Sequence, residues 1–444
     1  MEELNRMKAV LKENIWIEKL SIANLPKIKR SLTFIPRYGG VAIPAYAETA
    51  DLFGFPRYYK LVGYDIEDNR TEGMQTDLEF IGTPRDYQIP AIKQFEDSIN
   101  RGATAITLNA QTGTGKTVIL LYFLSILKRA ALIIVPKTDL ITQWREEILK
   151  FTSIKPEEIG IAQQDKAEYE GKKITIGTIQ SLCKDKYSEE FKRHFGVVAF
   201  DELHRTGASG FSNIMKIFPA KYRLGCSATL DRADGMDVLF RYHLGRNEIV
   251  VKKEMPAPKV IVYKYSGNSG QIPKYLKEVT YRRASLFSML AKNQDRNMVI
   301  ANFAKQLSAK RQTVVLTERK QMTKDIKQIL ISKFDCDSRD VGIYVYETSK
   351  AEKKRIGEEC SIILATTKMM NEGTNIPSLR ALIYATPLSG PSIQQPLGRI
   401  RRIKEGVEDP VVLDFVDTQY KEAKRWFNSR MQKYRSWNFK IEQL

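Results

Sequence analysis

The sequence predicts an α/β protein: two tandem parallel-sheet domains behind a small N-terminal α+β accessory domain. Three observations carry this. From Thr83 onward, apolar runs of strand length alternate with runs of helical length, the pattern of a parallel sheet covered by helices on both faces. The series pauses near residue 250 and then begins again. The first 82 residues have another texture, with short apolar runs broken by Pro and Gly. A chain of 444 residues fits this division, at roughly 150 residues per domain. The expected domains are 1–82, 83–250 and 251–444.

In the accessory region, residues 1–14 read as a polar helix. Leu32–Pro36, Val41–Tyr46 and Arg57–Tyr64 read as short strands, and the acidic stretch Asp65–Glu79 as a linker or an exposed loop. The second domain is expected to place strands at Ala105–Leu108, Ala131–Val135, Ile174–Ile176, Val197–Phe200 and Arg223–Ser227. Helices at Val118–Lys128 and Asp139–Phe151 lie between them. The third domain repeats the pattern at Lys259–Tyr263, Thr313–Leu316, Val341–Tyr346, Ser361–Ala365, Ala381–Ala385 and Val411–Phe415. The tail Lys421–Leu444 holds seven basic and two acidic residues with Trp426, Tyr434, Trp437 and Phe439. It reads as an amphipathic helix whose aromatics pack on the third domain, and such a helix is compatible with a DNA contact.

Lys and Arg number 71 against 52 Asp and Glu, a net charge of +19. That excess points to a polyanion partner. No run approaches the ~20 apolar residues of a membrane span, and the charged start lacks a signal-peptide core. The four cysteines are far apart and the three histidines lack metal-ligand spacing, so neither a disulfide framework nor a zinc site is expected. A reduced, cytoplasmic, monomeric chain is the expectation.

Ala110-Gln111-Thr112-Gly113-Thr114-Gly115-Lys116-Thr117 lies between an expected strand and an expected helix. Glycines there let backbone N–H groups turn toward phosphate oxygens, and the helix start adds partial positive charge. Lys116 can reach the β- and γ-phosphates and Thr117 can offer its hydroxyl to Mg²⁺. The apolar run Val197–Phe200 leads directly into Asp201 and Glu202. Two carboxylates at a strand's C-terminal end sit where α/β sheets bind ligands. Asp201 suits a metal ion and Glu202 the activation of an attacking water.

With Asp201-Glu202-Leu203-His204 and Ser227-Ala228-Thr229 following in order, the chain resembles a superfamily 2 helicase over about residues 83–418. The resemblance implies two RecA-like motor domains and ATP with Mg²⁺. It implies Arg85, Gln88 and the loop Gln111–Thr117 as the nucleotide site, and His204, Ser227, Thr229 and Gly373 as coupling residues. Gln395-Pro-Leu-Gly-Arg399-Ile-Arg-Arg402 resembles the family's arginine-finger motif, with Gln395, Arg399 and Arg402 serving the γ-phosphate. Pro136, Lys137, Thr178, Gln180, Thr366 and Thr367 match its strand-end grips on a nucleic-acid backbone. Ser227–Gly235, with Arg232, is similar to the SAT…RxDG string of XPB- and UvsW-type translocases. Departures are Ala110 for Gly, Asn375 for Asp, Pro396 for Arg and Ala233 for Glu.

Arg37, Arg57 and Lys60 stand among accessory-domain aromatics and are expected to meet duplex DNA. Lys274, Lys277, Arg282, Arg283 and Lys292 mark a second basic segment, either a thumb-like insertion or a packed helix. The function expected is an ATP-driven DNA helicase or translocase on duplex, forked or four-way-junction DNA, in recombination, repair or replication and with partner proteins of those processes. An RNA helicase and a nucleic-acid scaffold with a decayed ATP site are the alternatives. UvsW-type relatives are phage proteins, so a bacterial host cell is the implied compartment.

Overall fold

The computed structural model describes residues 7–37, 39–111, 113–207, 212–228, 230, 232, 234–253, 255–267, 279–371, 376, 378–401 and 408–444. The chain divides into two compact units, Met1–Lys253 and Glu254–Leu444.

The first unit is built on an eight-stranded sheet. Its order is Lys166–Ala167, Ile159–Gln163, Ile174–Thr178, Ala131–Val135, Val197–Asp201, Tyr222–Ser227, Ala105–Ala110, Glu248–Val251. All neighbours are parallel except the edge hairpin of Ile159–Gln163 with Lys166–Ala167. Alternate residues of Ala131–Val135 serve opposite layers. Ala131, Ile133 and Val135 join Leu120, Phe123 and Leu124 of the helix Lys116–Leu127. Leu132 and Ile134 join Phe195, Phe200 and Phe218. A strand buried on both faces reads as a continuous apolar run, which is why Ala131–Val135 is so plain in the sequence. Ile159–Gln163 and Glu248–Val251 escaped the sequence reading because each carries only two or three apolar residues between polar ones.

Before this sheet stands a five-stranded one, ordered Ala47–Glu48, Leu52–Phe55, Ile15–Glu18, Met7–Leu11, Tyr64–Asp68. The expected polar helix at 1–14 is overturned within its described part. Met7–Leu11 is a strand, antiparallel to Ile15–Glu18 and parallel to Tyr64–Asp68. Strand pairing here overrides local propensity. The expected strand Arg57–Tyr64 is irregular up to Tyr64, and the strand lies instead in the acidic stretch, at Tyr64–Asp68. The core of this sheet is Ile15, Ile17, Phe53 and Phe55, with Phe53 and Phe55 edge to face at 4.8 Å.

The second unit carries a seven-stranded sheet, entirely parallel, ordered Val341–Tyr344, Ile362–Thr366, Gln312–Thr317, Leu379–Tyr384, Val411–Asp417, Lys259–Tyr265, Ile441–Gln443. Parallel strands of this kind, covered on both faces in two tandem units, make the expected α/β fold of RecA-like type. The helix Val279–Lys292 packs through Leu286 and Leu290 on Tyr420 and Ala423, with Trp426 beside them. The described part of the second basic segment is therefore a packed helix, while Lys274 and Lys277 lie outside the described residues. The tail forms the helix Lys421–Ser436, and the strand Ile441–Gln443 was not foreseen.

Two buried ion pairs fix one strand of this sheet. Asp414 receives Arg430 through both carboxylate oxygens at 2.7 and 2.8 Å and the Tyr434 hydroxyl at 3.0 Å. Asp417 receives Arg296 at 2.7 and 2.8 Å. All four charged side chains are fully buried.

Candidate active site

The phosphate loop joins strand Ala105–Ala110 to helix Lys116–Leu127, as its spacing requires. Gly113 and Gly115 adopt φ of 86° and 76°, a left-handed backbone that favours glycine. A Cβ on Gly115 would also lie 2.7 Å from the Gln88 amide nitrogen. Thr114 is buried and its hydroxyl donates to the Gln111 carbonyl at 2.7 Å.

Gln88 is buried against this loop. Its Nε2 donates to the Thr114 carbonyl at 3.0 Å and its Oε1 accepts from the Arg85 backbone N–H at 3.0 Å. Tyr87 donates to the same Thr114 carbonyl at 3.3 Å and accepts from the Arg85 guanidinium at 3.1 Å. The Lys253 ammonium lies 4.8 Å from the Tyr87 ring centre. Tyr87 and Lys253 were not read from the sequence.

Strand Tyr222–Ser227 separates the phosphate-loop strand from the strand ending in Asp201. Its register sets Cys226 beside Asp201 and Ser227 beside Asn109. Lys116 Nζ meets Glu202 Oε1 at 3.2 Å. Burial works against the Lys116 charge, but Glu202 and Asp201 outweigh it and hold the ammonium above its ordinary range. Burial likewise opposes the Glu202 carboxylate, and Lys116 and His204 outweigh it, so Glu202 sits below the usual carboxylate range. Asp201 goes the other way: burial and the neighbouring Glu202 charge push it up. This splits two adjacent carboxylates into a readily ionised one and a reluctant one.

Three donors hold Asp201. The Trp144 indole N–H reaches Oδ2 at 3.0 Å, while the Glu202 backbone N–H at 2.9 Å and the Cys226 thiol at 3.3 Å reach Oδ1. Trp144 lies on the apolar stripe Ile141–Trp144–Ile148 of helix Asp139–Phe151 and reads as plain core. The available signal was that a buried indole N–H needs an acceptor.

Glu202 has a left-handed backbone, φ 50°. This turn carries the chain back so that His204 Nδ1 lies 2.9 Å from the Ser227 hydroxyl and 3.4 Å from Glu202 Oε2. Arg232 donates to the His204 carbonyl and forms a two-pronged pair with Asp234, at 2.9 and 2.5 Å. The Arg37 backbone N–H donates to the Asp234 carbonyl at 3.1 Å. A continuous path of contacts therefore runs from Lys116 to the accessory region.

The strand-end residues lie apart from this cluster. Gln180 Nε2 donates to the Pro136 carbonyl at 3.2 Å, and the buried Thr178 bonds Ser181 at 2.9 Å. Thr178, Gln180, Lys184 and Lys186 line part of a polar cavity of about 500 Å³. Lys137 is half-buried beside Pro136. Arg37 and Lys60 are exposed. Arg57 is a correction. It is buried, and it donates to the carbonyls of Ala220 at 2.9 Å and Lys12 at 2.6 Å. A guanidinium buried against internal carbonyls is out of reach of DNA.

In the second unit, Thr366 ends strand Ile362–Thr366 and Thr367 is buried beside Thr317. Gln395 and Arg399 are half-buried on helix Gln394–Ile400. Thr112, Thr229, Gly373 and Arg402 lie outside the described residues.

A model of the family described as the res subunit of type III restriction enzymes matches residues 81–232. That stretch contains the whole lysine–carboxylate–histidine cluster. Through that match and its relatives the chain is similar to superfamily 2 helicases. A protein of Acanthamoeba polyphaga mimivirus named as an ATP-dependent RNA helicase (L396) is 28% identical over 94% of this chain and 83% of its own. The DNA 3'-5' translocase XPB2 of Sulfurisphaera tokodaii is 27% identical over 72% of this chain and 79% of its own. The Hef helicase domain of Pyrococcus furiosus, at 14% identity and TM-score 0.52 over 78% of this chain and 99% of its own, shares the fold. This helicase is an ATP-hydrolysing enzyme of nucleic acid. Among its described residues no helix is long and apolar enough to cross a membrane.

Proposed function

We propose that this helicase is an ATP-driven DNA translocase that remodels duplex, forked or four-way-junction DNA. The observation that carries the reading is the split carboxylate pair between Lys116 and His204, together with the XPB2 likeness. In this proposal the backbone N–H groups of Gln111–Lys116 hold the phosphates and Lys116 exchanges Glu202 for the β- and γ-phosphate oxygens. Glu202, ionised beside Lys116 and made the stronger base when that cation leaves it, accepts the proton of the attacking water. Arg85 and Gln88 serve the base, and Gln395, Arg399 and Arg402 serve the developing γ-phosphate charge.

The residues fit Mg²⁺. The Thr117 hydroxyl and the Asp201 carboxylate are hard oxygen donors, and no cluster of three or more His, Cys, Asp or Glu side chains among the described residues forms a dedicated cage. That is the donor set expected for an ion shared with nucleotide phosphates. When bound, it would neutralise phosphate charge. Trp144 and Cys226 hold Asp201 in place for it.

His204 and Ser227 couple nucleotide state to the polymer grip. Pro136, Lys137, Thr178 and Gln180 provide that grip in the first unit, and Thr366 and Thr367 in the second, on phosphates rather than bases. Arg37 and Lys60 extend the contact from the accessory region, and Arg232 from the first motor domain. The domains proposed are 1–82, 83–250 and 251–444. Branch remodelling in recombination, repair or replication is the role this supports. An RNA helicase is the second reading, favoured by the name of the mimivirus relative.

The test is the ATPase rate without polymer and with single-stranded DNA, duplex DNA, a four-way junction and duplex RNA, each beside Lys116→Ala. Stimulation by duplex or junction DNA, abolished by the substitution, is expected. Stimulation by RNA alone would replace the DNA reading with the RNA one.

A further inference from the structure

The helix Lys421–Ser436 shows two faces of opposite character. Ala423, Arg430, Met431 and Tyr434 are buried, and Arg430 is consumed by Asp414 and the Leu388 carbonyl. At 100° per residue, Lys421, Lys424, Arg425, Asn428, Gln432 and Arg435 fall on a single outward stripe, and all six are exposed. The stripe carries four cations, two amides and no acid. Glu422, the acidic residue of the helix, points aside and is paired with Arg282 at 2.9 Å. Lys421, Lys424, Arg425 and Arg435 have no ion-pair partner among the described residues. On the flank, Arg283 stacks over Trp426 at 5.4 Å and adds a further exposed cation.

We infer that this stripe is a docking surface for the phosphodiester backbone of the nucleic acid the motor works on. The inference rests on the nucleic-acid reading above and adds a surface outside its strand-end grips. Charge complementarity is one argument: four unpaired cations with no acid on their stripe repel one another, and a polyanion relieves that. Shape is the other. From Lys421 to Arg435 the helix rises about 21 Å at 1.5 Å per residue. That length matches about six nucleotides of one strand at 3.4 Å each. Amides between the cations donate to phosphate oxygens without adding charge. The buried Arg430–Asp414 pair and Tyr434 hold the helix from behind, so the stripe is presented without a backbone ordering cost at each encounter.

The test measures binding of a labelled mixed-sequence DNA duplex to the full chain by fluorescence anisotropy across a salt series. One variant carries Lys421→Glu, Lys424→Glu, Arg425→Glu and Arg435→Glu. A control of equal charge change carries Lys305→Glu, Lys310→Glu, Lys324→Glu and Lys333→Glu, exposed positions elsewhere in the second unit. If the first variant loses its wild-type melting temperature, the four Gln substitutions replace it. Each phosphate contact contributes about 0.9 to the slope of log affinity against log salt. The stripe variant is expected to lose about three to four units of slope and the control less than one. An unchanged slope in the stripe variant, with wild-type binding intact, overturns the stripe and leaves the motor reading standing. Equal losses in both variants also overturn it, because net charge alone would then explain the effect. Polyglutamate binding that depends on the stripe while duplex binding does not would reassign the surface to an acidic protein. A wild-type chain that binds neither DNA nor RNA overturns this inference and the motor reading together.

Discussion

The strands Val197–Asp201 and Val411–Asp417 are two versions of one design. Each is a largely apolar strand in the middle of its sheet, ending in Asp201 or Asp417, and the second also carries Asp414 at its centre. In the first, Asp201 is held by an indole, a thiol and a backbone amide, and Glu202 by one lysine. Among the described residues no guanidinium seals either carboxylate, and the Lys116–Glu202 contact is partly open to solvent. In the second, Asp414 and Asp417 are each closed by a two-pronged arginine and excluded from water. Neutral donors position a carboxylate and leave its charge to be used, whereas an arginine cancels it. The same strand-end acid is thus chemistry in one unit and architecture in the other.

Substitutions on the two strands should separate along that line. Glu202→Gln keeps the shape and removes the base, so the polymer-stimulated ATPase rate should fall by about 10²–10⁴ with little change in melting temperature. A variant that keeps its rate would remove Glu202 from its proposed role. Asp414→Ala should do the reverse. It strands Arg430 as a buried unpaired charge, at a cost of about 3–5 kcal/mol in urea unfolding. A cost below that of an ordinary surface change would mean the pair is dispensable.

Trp144→Phe is the finer comparison, because it removes one neutral donor from Asp201 and little volume. A hydrogen bond to a charged group contributes about 1.5–3 kcal/mol, so ATPase at limiting Mg²⁺ should drop roughly tenfold or more. Saturating Mg²⁺ should recover most of the rate. The same loss at every Mg²⁺ concentration would assign Trp144 to packing alone.

The smallest effect concerns cations buried without carboxylates. Where the accessory sheet meets the first motor sheet, Arg57, Arg223 and Lys216 are solvated by backbone carbonyls. His243 Nε2 lies 3.0 Å from the Ala45 carbonyl in the same region. Burial, then Arg223 and Lys216, hold the His243 ring well below its ordinary range. Burial also brings Arg223 down to about 10, so it keeps its charge at neutral pH. Below about pH 6.5 the unfolded chain protonates this histidine and the folded chain does not. Stability is therefore full above that pH and lost below it, by up to about 1.4 kcal/mol per pH unit. Melting temperature measured from pH 7.5 to 5.5 should fall, and His243→Gln should flatten the profile. An equal slope in the variant would place the titration elsewhere.

These contrasts also mark what the sequence could tell. The phosphate loop and Asp201–Glu202 were legible because nucleotide chemistry demands particular residue types at adjacent positions. So were the strands buried on both faces, since that burial leaves an unbroken apolar run. Asp414 and Asp417 carry no such pattern, and the arginines that close them come from 16 and 121 residues away. Arg57 was misread for the same reason: an arginine among aromatics is a surface contact or a buried anchor depending on carbonyls as far off as Ala220. Trp144 carried no local mark, because a stripe of core residues hides the one whose N–H has work to do.

The left-handed backbone at Glu202 sets two kinds of fitness against each other. A residue with a Cβ is strained by about 1–2 kcal/mol in that conformation, and the strain is what turns the carboxylate toward Lys116. Glu202→Gly should therefore give a protein that is inactive and yet melts higher. Random libraries of this helicase screened for thermostability alone would enrich such dead variants, and a useful screen has to select for hydrolysis at the same time.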